Sequence, residues 1–151
     1  MLYGLEAGKY RLALKTPKDQ IINVEYTRDN SKKKAVYKKS KAIHLKSDID
    51  SIYTSTEKAA RWYKVSVSST KKRKAVTLSK DSVGGGFKFR VYQKGKRLKT
   101  VRVTKNDKVK TVKLPKKKGT YYVKVTKLTS KTTGAYYLGT VSYTHLTLPT
   151  T

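Results

Sequence analysis

The chain has 151 residues and a mass of 17.1 kDa, which suits one domain or one domain with a fragment of another. Its 37 Lys and Arg outnumber its 9 Asp and Glu, so its formal net charge is +28. Because it has no Cys, only 2 His and no apolar run of about 18 residues, disulfide scaffolds, thiol nucleophiles, histidine-rich metal sites and membrane-spanning helices are excluded.

The first 29 residues contain a pattern that returns later in the chain. Residues 5–14 and residues 114–125 both contain Leu, a short loop and Gly-x-Tyr followed by alternating apolar positions. Because internal repeats change the domain count, we predict that residues 1–29 are the terminal strands of a truncated, similar copy. We predict a basic linker at residues 30–40 and one nearly complete copy at residues 41–139. No signal peptide is visible at the N-terminus.

Short segments of alternating apolar and polar residues fill the proposed complete copy. In residues 62–68, for example, Tyr63, Val65 and Val67 share one face, and Lys64 and Ser66 share the other. A period of two with β-branched and aromatic residues is typical of half-buried antiparallel strands. The same pattern predicts strands at residues 87–92, 100–104 and 120–126, and shorter ones at residues 74–79 and 108–114.

Turn signals separate these strands. Lys94-Gly95-Lys96 predicts a tight hairpin, Asn106-Asp107 a turn, and residues 114–119 a loop between Pro and Gly. The three glycines at residues 84–86 predict a hinge or a bulge. The only helical candidate, residues 55–61, is too short to matter. Strands about 8–12 residues apart indicate a sandwich or a barrel, and we predict an all-β fold, a jelly-roll-like antiparallel β-sandwich.

The last segment of the chain differs sharply in composition from the rest. Residues 141–150 contain no charged side chain, whereas the preceding residues contain all 46. Their sequence, VSYTHLTLPT, resembles a transposase-type sequencing adapter translated in one frame. We therefore predict that residues 140–151 are a non-native tail and leave them out of the predicted fold. On this interpretation the native chain continued beyond about residue 139.

Four segments carry a resemblance to a known family. They are residues 60–67 (ARWYKVSV), 87–95 (FKFRVYQKG), 119–125 (GTYYVKV) and 134–138 (GAYYL). In order and spacing they resemble the bacterial pre-peptidase C-terminal domain, a small β-sandwich of secreted proteins. The resemblance implies a non-catalytic accessory module that accompanies secreted peptidases or occurs in tandem on surface proteins. Arg61 and Lys94 replace acidic residues that are common in the family, which argues against a calcium site.

No motif in the sequence indicates catalysis, a cofactor or a metal. Asp48 and Asp50 are the only close carboxylate pair, and a solvated loop explains them better than a calcium site. His44 has no nucleophile or acid at motif spacing and is predicted to be structural. The serines lack the nucleophile-elbow pattern, and the glycines at residues 84–86 lack the context of a phosphate loop. We predict that the protein is not an enzyme.

The positive charge is the strongest functional signal. Basic residues alternate with apolar ones inside the strands and cluster in loops, so we expect the outward faces of both sheets to be positive. The cations on such a surface repel one another and lower the stability of the fold, and a bound polyanion would reduce that repulsion. The predicted polyanion-binding residues are Lys64, Lys88, Arg90, Arg102, Lys110, Lys116, Lys117, Lys118, Tyr122 and Lys124.

The excess of Lys over Arg favours diffuse attraction over bidentate recognition of phosphate or bases. Together with the resemblance to secreted modules, it favours an anionic cell-envelope polymer or acidic glycan as the partner, in a secreted or cell-wall-associated protein with further domains. Three alternatives stay open. They are a spacer repeat without a ligand, an appendage of a secreted peptidase, and a non-specific nucleic-acid binder that stacks bases on Tyr92, Tyr122 and Tyr137.

Overall fold

The structure is a computed structural model that describes residues 8–15, 18–19, 21–24, 35–46, 49–53, 57–104 and 106–143. These residues form nine strands in two sheets and one short 3₁₀ turn at Lys39–Lys41. The strands are β1 (Ile43–His44), β2 (Ile49–Tyr53), β3 (Arg61–Val67), β4 (Arg73–Gly84), β5 (Phe87–Gln93), β6 (Lys96–Val103), β7 (Val109–Lys113), β8 (Gly119–Lys127) and β9 (Thr133–Tyr143).

The first sheet has five strands in the order β1-β3-β8-β5-β6, and the second has four in the order β2-β9-β4-β7. All neighbours pair antiparallel except β1 and β3, which pair in parallel over two residues. The predicted all-β, antiparallel β-sandwich is therefore confirmed. The short helical candidate at residues 55–61 contains no helix in its described part, because Arg61 opens β3 and residues 57–60 have no helical structure.

The alternation of side chains produces the core. β3 and β5 alternate strictly between buried and half-buried residues over most of their length, and the central part of β8 does the same. The largest fully buried side chains are Tyr63, Tyr121, Tyr136, Phe87 and Phe89. Burial of one such side chain stabilises the fold by about 1.5–3 kcal/mol. The core between the sheets thus consists of every second residue of the predicted strands.

Two glycine-containing corners set the strand connections. Lys94 and Gly95 have φ angles of 47° and 78°, the left-handed pair of a two-residue hairpin whose twist matches that of β5 and β6. This confirms the predicted hairpin. The glycines at residues 84–86 instead lead the chain from β4 in one sheet to β5 in the other. A register shift between Lys80 and Val83 lies before them, inside β4.

The ends of the chain bear on the predicted domain limits. Residues 8–15 and 21–24 are exposed and contain no strand, and the truncated copy proposed for residues 1–29 stays a prediction. At the other end, β9 continues to Tyr143, and Val141 pairs with Ala75 of β4. Residues 144–151 lie outside the described residues, and the proposed origin of the tail stays a prediction. In the proposed linker, Val36 accepts a hydrogen bond from the Trp62 backbone amide at 2.9 Å.

Candidate polyanion-binding face

The outward side of the five-stranded sheet carries both basic and aromatic side chains. They point outward because their neighbours along β3, β5, β6 and β8 point into the core. We call this surface the aromatic–basic face and define it by eight residues. They are Trp62, Lys64, Lys88, Arg90, Tyr92, Arg102, Tyr122 and Lys124. All except the exposed Arg102 are half-buried.

Strand register arranges these residues in three rows across the sheet. Residues in one row are direct cross-strand partners, so their Cα atoms lie about 5 Å apart. The rows are Trp62–Lys124–Arg90, Lys64–Tyr122–Tyr92 and Thr126–Lys88–Arg102. The first two rows therefore each contain both cations and rings, whereas the third contains two cations and no ring.

The aromatic rings touch each other and the neighbouring ammonium groups. The centroids of the Trp62 and Tyr92 rings lie 5.7 Å apart, and the ring planes are tilted by 43°. The Lys124 ammonium lies 5.3 Å from the Trp62 ring centroid, and the Lys39 ammonium lies 4.8 Å from that of Tyr122. Both distances are typical of cation–π interactions, each of which contributes about 0.5–1 kcal/mol at exposed sites.

No carboxylate is among the outward residues of the three rows. The two ion pairs found in the described part of the chain lie elsewhere, between Arg61 and Glu57 and between Lys110 and Asp107. Five cations thus share one sheet face. Lys124 and Arg90 are direct cross-strand partners, as are Lys88 and Arg102, and this backbone spacing of about 5 Å is shorter than the screening length of about 8 Å at physiological salt. An anion on this face would lower their mutual repulsion.

The outward face of the four-stranded sheet is different, and here the expectation of two positive faces is wrong. Its strand positions on β4, β7 and β9 carry mostly small or neutral side chains. Among those described are Thr77, Ser79, Val109, Thr111, Ala135, Tyr137, Gly139, Val141 and Ala75, of which Ala75 is itself fully buried. Its cations, Arg73 and Lys113, lie at one end. The charge of the sandwich is therefore asymmetric, because the polar positions of these strands are filled by Thr and Ser rather than Lys.

The structure brings together six of the ten predicted site residues, Lys64, Lys88, Arg90, Arg102, Tyr122 and Lys124, and places the other four elsewhere. Lys110 pairs with Leu78 on the inward side at the sheet edge, and its ammonium lies 2.7 Å from Asp107. It therefore does not point outward, contrary to the prediction. The three lysines at residues 116–118 are exposed in the loop between β7 and β8.

Sequence analysis did not assign to the site two residues of the face, Trp62 and Tyr92, or the adjacent Lys39. Trp62 lies on the outward side of β3 because the residues before and after it, Arg61 and Tyr63, are buried. Tyr92 was considered only for stacking bases. Lys39 lies in the predicted linker and reaches Tyr122 through the 3₁₀ turn. Tyr137, the third predicted stacking residue, lies on the other sheet and is 40% exposed.

The remaining candidates are His44 and the pair Asp48 and Asp50. His44, predicted to be structural, is exposed at the sheet edge beside Lys64. Asp48 lies outside the described residues, and only the backbone of Asp50, in β2, is described. The described residues contain no group of three His, Cys, Asp or Glu that could hold a metal ion. A search of the same residues found no helix with the length and apolarity needed to cross a membrane.

A shallow surface cavity of about 250 Å³ lies at the end of the third row. It is lined by Lys58, Thr126, Lys127, Leu128, Thr129 and Ser130. Because Thr126 also pairs with Lys88, this cavity adjoins the third row.

No protein-family profile matches the sequence, and no curated protein matches it significantly. Among solved structures, the chain is similar to the pre-peptidase C-terminal domain of a collagenase from Bacillus anthracis, with 17% identity and a TM-score of 0.50. The match covers 66% of this chain and 92% of that domain. The β-sandwich is therefore of the kind found in that domain, as the sequence resemblance predicted.

Two further structures match less well. One is PliG of Aeromonas hydrophila, a periplasmic inhibitor of g-type lysozyme, with 13% identity, a TM-score of 0.45, and coverage of 67% of this chain and 95% of PliG. The other is a family 35 carbohydrate-binding module from an environmental isolate, with 16% identity and a TM-score of 0.41. That match covers 68% of this chain and 93% of the carbohydrate-binding module.

Proposed function

We propose that this protein is a non-catalytic accessory module of a secreted or cell-surface bacterial protein, and that it binds an anionic cell-envelope polymer or glycan. The aromatic–basic face would make the contact. The observation that carries the proposal is the placement of five cations without a carboxylate on one sheet face. The sandwich shared with the collagenase domain supports the accessory role through the fold alone.

The physical reason lies in the mutual repulsion of the cations. The side chains stand on neighbouring strands about 4.8 Å apart, where solvent and salt screen them only partly. A flexible polyanion laid across the rows would neutralise several of them at once and release its counterions. Binding would therefore be multivalent and would weaken steeply as salt rises.

The test compares charge removal on the two faces of the sandwich. The full chain is titrated with linear polyphosphate and with polygalacturonate at several salt concentrations. We expect Lys64→Gln, Arg90→Gln and Lys124→Gln each to weaken binding and to lower the slope of log K against log salt by roughly one. Lys113→Gln, which removes the same charge from the other face, should leave the slope nearly unchanged.

Two results would contradict the proposal. Equal losses for Lys113→Gln and Lys124→Gln would mean that the net charge, and no particular face, attracts the polymer. Absence of binding to either polymer near physiological salt would instead support a spacer without a ligand. Recovery of the neighbouring coding sequence would show whether a peptidase accompanies the module.

A further inference from the structure

The aromatic–basic face presents flat apolar surface as well as charge. Trp62 and Tyr92 reach toward each other over β8, which separates their strands, and their rings form one contiguous patch with centroids 5.7 Å apart. Tyr122 stands beside Tyr92 as its direct cross-strand partner. Simple attraction between charges does not require any ring at these positions, and three half-buried rings leave apolar surface open to a ligand.

Each end of this aromatic patch has a cation close to it. The Lys124 ammonium is 5.3 Å from the centre of the Trp62 ring, and the Lys39 ammonium is 4.8 Å from that of Tyr122. Arg90 follows Lys124 in the same row. A ligand that covers one ring therefore meets a positive charge within the width of a single sugar.

We infer that the polymer is an acidic polysaccharide, in which the negative groups are attached to the sugar rings themselves. This inference rests on the proposed function. The C–H groups on the flatter side of a sugar would pack on Trp62 and Tyr92. A carboxylate or sulfate on that sugar or its neighbour would then lie next to Lys124 or Arg90. Ring and charge are adjacent in such a ligand, as they are on this face.

Other polyanions match the face less well. A polyol phosphate or a polyphosphate has charge without any ring, so the aromatic patch would add nothing to its binding. In single-stranded nucleic acid, the ribose separates each base from its phosphate, and successive bases need separate stacking platforms. The tilt of 43° between Trp62 and Tyr92 does not provide two parallel platforms.

Trp62 is the only Trp in the chain and lies on the proposed surface, so its fluorescence reports directly on binding. The full chain is titrated with polygalacturonate, with polyphosphate of matched charge and with oligo-dT. We expect polygalacturonate to bind most tightly and to change the Trp62 emission. Tyr92→Leu should weaken polygalacturonate binding about tenfold and leave polyphosphate binding within about twofold.

Trp62→Leu is followed by the anisotropy of labelled polymer, because the intrinsic signal is lost. It should behave like Tyr92→Leu, whereas Tyr137→Leu, an aromatic substitution on the other face, should change neither affinity. Circular dichroism and urea titration test whether each variant is folded. A variant that fails to fold is replaced by the Phe substitution, which keeps a ring and should retain most of the affinity for polygalacturonate.

The outcomes separate this inference from the proposed function. Equal binding of polyphosphate and polygalacturonate, with no effect of Tyr92→Leu, would overturn the inference and leave the proposed function intact. Tightest binding of oligo-dT, weakened by Tyr92→Leu, would overturn both in favour of nucleic acid. Failure of all three polymers to bind would overturn the proposed function itself.

Discussion

The hydroxyl of Tyr63 on β3 and the hydroxyl of Tyr136 on β9 are hydrogen-bonded to each other in the interior, so one polar contact joins the two sheets. Both side chains are almost fully buried, with relative exposures of 1% and 0%. The Phe87 ring packs 5.0 Å from that of Tyr136. Because a polar bond in this apolar setting is directional, it favours one alignment of the sheets.

We expect Tyr63→Phe and Tyr136→Phe to destabilise the protein non-additively. Either substitution removes this hydrogen bond, whereas the double variant loses it only once. The coupling energy in a double-mutant cycle should be about 0.5–1.5 kcal/mol. Urea unfolding of the four proteins measures it. Strict additivity would show that the two hydroxyls do not stabilise each other.

A second polar contact, the ion pair between Arg61 and Glu57, lies at the start of β3. The Arg61 guanidinium donates to both carboxylate oxygens of Glu57, from Nε at 2.9 Å and from Nη2 at 2.7 Å. Burial alone would lower the pKa of Arg61, but the bond to Glu57 and the nearby Tyr136 outweigh it and hold that pKa above its usual value. Burial and the Glu57 carboxylate likewise raise the pKa of Tyr37.

Glu57→Gln should destabilise the protein by about 1–3 kcal/mol, because it leaves the buried Arg61 without its counter-charge. The side chain of Arg61 is only 8% exposed, so water compensates little of that loss. Lys58→Gln, at the exposed neighbouring position, is the matched control and should be nearly neutral. Thermal and urea unfolding compare the two variants, and equal effects would contradict a stabilising role for the ion pair.

The strands β3, β5 and the centre of β8 were predictable because burial along them follows a period of two. Phe87, Phe89 and Val91 all face the core, as the alternation in β5 requires. The extent of β4 was not predictable, because the segment before Gly84 contains a register shift and no apolar alternation. The direction of Lys110 was also missed, since near the end of a strand the inward position lies at the rim and admits a charged side chain.

The candidate site was only partly predictable. The alternation in β3, β5 and β8 correctly puts Lys64, Arg90 and Lys124 on outward positions. The alternation along single strands does not show which strands are neighbours. The strand order of the sheet, β3-β8-β5, is what brings Trp62 against Tyr92 across β8. The lower charge of the described outward positions on β4, β7 and β9 is equally a matter of pairing, because it depends on which of these positions lie side by side.

Gly86→Ala should destabilise the protein by more than about 2 kcal/mol. A Cβ at this position would overlap the carbonyl oxygen of Val103, which belongs to the backbone and cannot swing away. The backbone is held there from both sides, since the Gly86 amide donates to Thr132 and its carbonyl accepts from Leu128. The estimate follows from the cost of overpacking a tight site.

Gly84→Ala and Gly95→Ala are the controls for this substitution. At Gly84 the nearest atom to a new Cβ would be 3.8 Å away, so the change should be nearly neutral. At Gly95 space is open but φ is +78°, so only the left-handed backbone cost of about 1 kcal/mol applies. Urea unfolding measures the stability of the three variants. If Gly86→Ala were as stable as Gly95→Ala or more stable, the steric argument would be wrong.

Asp107 lies in the turn between β6 and β7, which connects the two sheets, and its ionisation makes the stability of the fold depend on pH. Its carboxylate lies 2.7 Å from the Lys110 ammonium and accepts hydrogen bonds from the Thr104 hydroxyl and backbone amide at 2.7 and 2.9 Å. The bond to Lys110, followed by those to Thr104, holds the pKa of Asp107 well below its usual 3.8. The folded state therefore binds this proton more weakly than the unfolded chain does.

The stabilisation by Asp107 is consequently complete above the unfolded pKa and is lost as the pH falls below it toward the folded value. Asp107→Asn should lower stability at pH 6, and the gap to the native protein should shrink between about pH 4 and pH 2. Lys110→Gln keeps the carboxylate and the bonds to Thr104, so its pH dependence should be intermediate. Urea unfolding across this range tests the argument, and a gap that stays constant with pH would show that the carboxylate acts by shape rather than by charge.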